Sequence, residues 1–291
     1  MSAPPPFTLH RPARQRAALV LTSPHSGRLY SAAFLAGSRL DAQAIRRSED
    51  CFVDELFAAA PALGVPLLAA TFPRAYCDAN REAWELDPAM FSDPLPPYAN
   101  TSSPRVAAGL GTIARIVGTS EPIYGRRLSF AEARARIEQC WQPFHAALQA
   151  LISETVTEFG HCLVLDCHSM PSAPGRAGPR AELVLGDGHG ESCAPAWSRF
   201  VAAEFTALGL KVRRNDPYAG GYITRHYGRP AAGVQVMQIE LARGLYMHER
   251  QFLKHAGFED LRARLTRFLE TMRDAVRQFG APGPEARAAA E

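Results

Sequence analysis

The 291-residue chain has no apolar run approaching the roughly 20 residues that a membrane-spanning helix requires, which argues against a membrane role. It also has little net charge. A formal +3, from 32 Lys and Arg against 29 Asp and Glu, is too small to point to nucleic acid or an anionic surface as partner. The stretch MSAPPPFTLHRPARQRAA is rich in Pro and Arg and lacks the apolar centre of a secretory signal, so a cytoplasmic setting is expected. Several motifs that announce common chemistries are missing. There is no HExxH, no Cys-x-x-Cys pair, and GDGHG lacks the spacing of a dinucleotide or Walker loop. Ser26 and Ser169 each follow a histidine, but neither sits in a GxSxG elbow, which disfavours a serine hydrolase. The six cysteines, at 51, 77, 140, 162, 167 and 193, show no regular framework, and reduced thiols are the expectation.

What is present reads as an ordinary globular chain, 47% hydrophobic and 21% charged. Its length suits one large domain or two small ones, and with no repeat and no linker a single domain over 1–291 is expected. Apolar runs at 17–22, 65–71, 162–167, 182–187, 210–213 and 234–241 predict strands. Helical spacing appears at 49–60 behind a candidate N-cap Ser48, at 129–158 with a break expected at Pro143, at 193–207 and at 256–278. Residues 83–128 carry no clear pattern and read as a long irregular insertion near the site. Residues 1–15 and 280–291 are expected to be flexible. Strands alternating with helices predict an α/β sandwich of three layers around a mostly parallel or mixed sheet.

In such sheets ligands bind beyond the carboxyl ends of the strands. That rule gathers His25, then Asp78, Asn80 and Arg81, then Asp166 and His168, then Glu240 along one rim. Two imidazoles and a carboxylate suit a catalytic zinc, which leaves one position open for water. On this reading His25, one carboxylate and His168 bind the ion, and Glu240 moves protons. Each residue has a plainer alternative. His25 is a solvated turn residue, Glu49 and Asp50 complement a helix N-terminus, and Asn80 and Arg81 are surface groups. Glu240 is the hardest to dismiss, because it interrupts the apolar run VMQIEL.

The blocks SPHSG (23–27), SEDCFVDELF (48–57), CDANR (77–81), LVLDCHSM (163–170), GGYITRHYGRP (220–230) and MQIELARGLYM (237–247) together resemble the N-formylglutamate amidohydrolase family. That family is similar in fold to zinc carboxypeptidases and aspartoacylase. The resemblance implies a hydrolase holding one zinc, or another divalent ion, that converts N-formyl-L-glutamate and water to L-glutamate and formate. It implies metal ligands at His25 and His168, and a catalytic glutamate at Glu240. Arg28 stands where zinc carboxypeptidases carry a ligand Glu, so the carboxylate comes from elsewhere. The family comparison points to Asp50, whereas a helical wheel over 49–60 turns Glu49 inward. Asn80 and Arg81 match a pair that holds a substrate carboxylate. A second anchor is sought among Arg74, Arg225 and Arg229, with His226 between the last two. Tyr98, Tyr124, Arg126 and Arg127 are candidate substrate contacts from the irregular segment. The partner is then a small N-acyl amino acid, and a monomer is the default. A deacylase for another N-acyl amino acid or a peptide, and a non-catalytic binder of acidic amino acids, are the competing readings.

Overall fold

The apolar runs become strands of one seven-stranded sheet, in the order β1-β3-β2-β4-β7-β5-β6. The computed structural model describes residues 4–118, 120–172 and 181–279. Residues 280–291, expected to be flexible, lie outside the described residues. The strands are β1 Phe7–His10, β2 Leu19–Ser23, β3 Leu67–Ala70, β4 Cys162–Met170, β5 Leu183–Gly186, β6 Val212–Arg214 and β7 Val234–Ala242. The four central strands β3, β2, β4 and β7 run parallel. β1 joins one edge antiparallel to β3, and β5 pairs antiparallel with β7, so the sheet is mixed. Within the stretch 1–15, Phe7–His10 forms this edge strand. Phe7–His10 is tied to the backbone of Leu67–Ala70, and Arg11 pairs with Glu154 at 2.6 Å.

The helices are α1 Ala32–Ala36, α2 Val53–Leu56, α3 Pro104–Ala107, α4 Phe130–Arg136, α5 Gln142–Phe159, α6 Pro195–Ala207, α7 Tyr222–Tyr227 and α8 Gly257–Phe279. Side chains alternate across a strand, and that alternation makes two apolar layers. Leu19, Leu21, Leu163, Leu165, Met237 and Ile239 face α2, α6 and α8. Val20, Val164 and Val236 face the other way, onto Phe144, Leu148 and Ile152 of α5 and Ile223 of α7. Both faces of the central strands are covered, which is why these strands read as continuous apolar runs.

Two local features depart from the sequence pattern. The helix expected over 49–60 forms only as α2. Glu49 and Asp50 are outside it, and Phe52 adopts φ 65°, a left-handed conformation that breaks a helix. The backbone N–H of Asp50 instead donates to His25 O at 3.0 Å, drawing the segment across to the turn after β2. The break expected at Pro143 appears as a π-helical turn, Ile137–Trp141, between α4 and α5. Such turns are frequent at functional sites. Residues 83–128 hold few regular elements, yet Leu86, Met90, Phe91, Ile113 and Leu128 bury one another with Ala133 and Ile137 of the α4 region.

Candidate active site

The parallel register of β4 and β7 sets Asp166 beside Gln238 and His168 beside Glu240. These four share a face with Val164 and Val236, one step further toward the carboxyl ends of the strands. The same face thus changes from apolar to polar where α5 no longer covers it. His25 arrives from the turn after β2. That turn lies so close to the chain following β3 that a Cβ on Gly27 would sit 2.0 Å from Phe72 O, so only glycine fits.

His25, Asp50 and His168 converge, with one ligand atom from each lying within 4.8 Å of the others, and all three are at most 2% exposed. Asp50 Oδ2 lies 3.0 Å from His168 Nδ1 and 3.4 Å from His25 Nδ1. The far nitrogens are held by carboxylates: His25 Nε2 by Asp78 Oδ1 at 2.7 Å, and His168 Nε2 by Asp166 Oδ2 at 3.0 Å. This carboxylate–histidine pairing fixes an imidazole so that its other nitrogen faces a metal. Asp50 Oδ1 accepts from Arg243 Nη2 at 3.1 Å and Ser169 Oγ at 3.2 Å, which leaves Oδ2 to the histidines.

The electrostatics ask for positive charge at the point of convergence. Burial works against the ionised form of Asp50, yet the two imidazoles hold its carboxyl well below the usual range. Burial likewise opposes a charged His168, but Asp166 and Asp50 hold its pKa well above the ordinary value. His25 Nδ1 is fully buried, and its 3.4 Å approach to Asp50 Oδ2 falls short of a hydrogen bond. A buried polar atom left unmade costs about 1–3 kcal/mol, and a cation seated among the three side chains would satisfy it. Two imidazole nitrogens and a carboxylate oxygen are a donor set that fits zinc and related divalent ions.

Glu240 borders this cluster. Its Oε1 accepts from Gln238 Nε2 at 2.8 Å. Burial pushes its carboxyl up to about 7, against the pull of His168, Arg74 and Arg243. In front lies a cleft of about 330 Å³, a volume suited to a small ligand. Five arginines line it (47, 74, 81, 105 and 243), against the carboxylates of Asp78 and Glu240 among the described residues.

The segment Asp78–Arg81 forms one wall. Burial opposes the ionised Asp78, but Arg74, Arg81 and His25 hold its carboxyl well below the usual range. Asn80 Oδ1 accepts from Ile223 N at 2.8 Å, and its Nδ2 lies 3.3 Å from Asp166 Oδ2, so both ends of the amide are held by protein. Gly221 allows this approach, since a Cβ there would lie 2.3 Å from Asn80 Nδ2. Behind the segment, Trp141 Nε1 donates to Arg81 O at 2.9 Å, and His145 Nε2 donates to Ala79 O at 2.8 Å. Trp141 of the π turn and His145 of α5 thus both aim at the backbone of this wall.

A sequence profile of the N-formylglutamate amidohydrolase family matches residues 17–247. The chain belongs to this family. It is an amidohydrolase, of the class that cleaves amide C–N bonds. An N-formylglutamate deformylase of Pseudomonas aeruginosa is 31% identical over 242 residues, covering 81% of this chain and 85% of that protein. One from Pseudomonas putida is 29% identical over 273 residues, covering 91% and 94%. The crystal structure of an N-formylglutamate amidohydrolase from Ralstonia eutropha JMP134 superposes with a TM-score of 0.88 at 38% identity, covering 94% of this chain and 99% of that one.

Within this amidohydrolase, His25, Asp50, His168, Glu240, Asn80, Arg81 and Arg74 meet at one cleft. Glu49 lies outside the cluster, because no helix turns it inward. It takes a two-pronged bond from Arg46 at 2.9 and 3.0 Å and a third from Tyr30. Arg225, His226 and Arg229 are corrections. The GGYITRHYGRP block carries the helix α7. α7 buries Ile223, Thr224 and Tyr227, which turns Arg225 and His226 to solvent. Arg225 caps Gly220 O at 3.4 Å, His226 stacks on Tyr222, and Arg229 donates to Gly228 O at 2.6 Å. The block serves the cleft through its glycines instead. Tyr98, Tyr124, Arg126 and Arg127 also stay outside it, Tyr98 against Trp84 and Tyr124 against Arg136. Sequence reasoning missed Arg243, although it follows Glu240 off the same strand end. It also missed Arg47, Arg105, Tyr218 and Gln238. Gln238 was readable by the same alternation that marks Glu240. Arg47 and Arg105 sit on the short helical turns Ala44–Ser48 and Pro104–Ala107, which are too short to show a periodicity, and Tyr218 sits on irregular chain.

Proposed function

We propose that this chain hydrolyses N-formyl-L-glutamate to L-glutamate and formate, with His25, Asp50 and His168 holding a divalent ion, zinc by preference, and Glu240 as general acid and base. The observation that carries the reading is the buried cluster of those three side chains beside Glu240, at the mouth of an arginine-rich cleft. The names of the relatives support the substrate. When bound, the ion supplies Lewis acidity to a water and to the carbonyl oxygen under attack.

The protein's own groups do the rest. Glu240 accepts the proton of the attacking water and returns one to the leaving amine, the two halves of general acid–base catalysis. Gln238 holds one Glu240 oxygen at 2.8 Å and so orients the other. Arg74 is tied to Asp78 Oδ2 only through Nε, at 2.9 Å, which leaves the outer nitrogens of its guanidinium to the cleft. They are placed to favour negative charge developing on the former carbonyl oxygen. Arg81 meets a substrate carboxylate from the adjoining wall.

The test is a metal assay on purified protein combined with formyl-, acetyl- and succinyl-amino acids as substrates. About one zinc per chain is expected, with formate released fastest from N-formyl-L-glutamate. Glu240→Gln should lower kcat by on the order of 10²- to 10⁴-fold while metal content holds. A Glu240→Gln protein that turns over at the parent rate would exclude Glu240 from the chemistry.

A further inference from the structure

N-formylglutamate carries two carboxylates, so the proposed reading needs two cationic partners, and the wall at Asp78–Arg81 is too fully engaged to supply both. Arg81 donates from Nε to Leu110 O at 2.8 Å and from Nη1 to Asn80 O at 2.7 Å, with Nη2 3.7 Å from Asp78 Oδ2. Arg74 is tied to Asp78, Arg243 to Asp50, and Arg47 to Glu121. Arg105 differs. It lines the cleft, is exposed, and its guanidinium has no hydrogen-bond or ion-pair partner among the described residues.

Charge balance points the same way. Asp78 is the carboxylate beside Arg74 and Arg81, and both its oxygens are occupied. Oδ1 faces His25 Nε2 at 2.7 Å and Asn80 N at 2.8 Å, and Oδ2 faces Arg74 Nε at 2.9 Å. Asp78 thus bonds Arg74 and lies 3.7 Å from Arg81, while Arg105 has no ion-pair partner among the described residues. Arg81 feels the excess. Burial first, then the charges of Arg74 and Arg105, push it down to about 10 although Asp78 opposes them. A guanidinium disfavoured in this way gains when an anion enters.

Arg105 is also held in a set relation to Arg81. Ser103 caps α3 by accepting from Val106 N at 3.1 Å. The Arg105 carbonyl accepts from Leu110 N at 2.8 Å, and Leu110 O in turn accepts from Arg81 Nε. The same loop is pinned again where Asp78 N donates to Thr112 O at 2.8 Å. Two cations joined by so short a chain of bonds form a two-point reader.

We infer that Arg105 is the specificity residue of the cleft: it binds the second, side-chain carboxylate of a dicarboxylic N-acyl amino acid while Arg81 takes the first. This rests on the hydrolase reading above but can fail separately from it. Arg105→Gln should reduce the preference in kcat/KM for N-formyl-L-glutamate over N-formyl-L-glutamine by on the order of 10- to 100-fold, the worth of a charge-assisted bond. The loss should fall on KM rather than kcat, and Arg105→Lys should restore part of it. A parallel calorimetric titration compares L-glutamate with L-glutamine on both proteins. The same 10- to 100-fold loss is expected there, and this arm needs no turnover. An unchanged glutamate-to-glutamine ratio in both arms overturns the role of Arg105 even if formate is released. Intact discrimination in the titration without formate release overturns the hydrolase reading and leaves Arg105 standing.

Discussion

Acidification from pH 7 to pH 5 should weaken the fold through His145. The ring stacks on Trp141 with centroids 3.8 Å apart and is buried. Its Nε2–H donates to Ala79 O, so in the neutral ring Nδ1 accepts from Tyr227 OH at 2.9 Å. A proton on Nδ1 would face that hydroxyl inside an apolar layer. Burial accordingly pushes the imidazole from 6.5 down to about 4, against the bond to Ala79 and with a small push from His226. Between these values the unfolded chain binds a proton that the native chain refuses. The stabilisation is therefore complete above pH 6.5 and is lost as the pH falls toward about 4. At about 1.4 kcal/mol per unit the whole window is worth about 3 kcal/mol, of which about 2 kcal/mol is gone at pH 5. That is a large part of the ~5–15 kcal/mol by which domains are stable. The measurement is the urea-unfolding free energy at both pH values, for the parent and for His145→Gln. Glutamine keeps a donor for Ala79 O but does not titrate. The parent should lose about 2 kcal/mol more than the variant. Equal losses in the two proteins would show that His145 does not refuse the proton, and would refute the account of its burial.

The other expectations concern the cleft. Chelation should abolish formate release and lower the melting temperature, and added zinc should restore both. An ion present at 1,000 times its Kd contributes about 4 kcal/mol of stability by linkage. Full turnover in protein shown to be metal-free would count against the cluster as a metal centre. Gly221→Ala should push the Asn80 amide out of its place, because the new methyl would lie 2.3 Å from Nδ2. Crowding of this kind costs about 1–3 kcal/mol, and kcat/KM should fall together with thermal stability. A variant kinetically equal to the parent would mean that the Asn80 network has no bearing on the site.

Much of the sheet was legible because its central strands are covered on both faces, which leaves them as unbroken apolar runs in the sequence. The strand-end rule then located His25, Asp78, His168 and Glu240 without any contact information. What the sequence could not carry was the path of irregular chain. Glu49 looked inward only on a helix that does not form, because Phe52 turns left-handed and Asp50 is drawn to His25 O. Arg225 and Arg229 were candidates only because a dicarboxylate needs a second cation. Once α7 forms, its apolar side must face the sheet, and the basic residues go to solvent. Arg105 had no signal at all. Its place depends on bonds from Leu110 and Thr112 to residues some 30 positions earlier in the chain, which no periodicity encodes.

The apolar knot formed by Leu86, Met90, Phe91, Ile113 and Leu128 has a consequence for how such a scaffold can change. The irregular segment that presents Arg105 packs partly on itself and partly against Phe34, Ile45 and Ala75, while the proposed catalytic groups ride on β4, β7 and the turn after β2. Exposed residues such as Arg105 can therefore be exchanged or recharged without disturbing the strands, so long as Leu110 O and Thr112 O keep their bonds to Arg81 and Asp78. One hydrolytic engine could then be re-addressed to a different acyl amino acid by rewriting a stretch of chain that touches none of its moving protons.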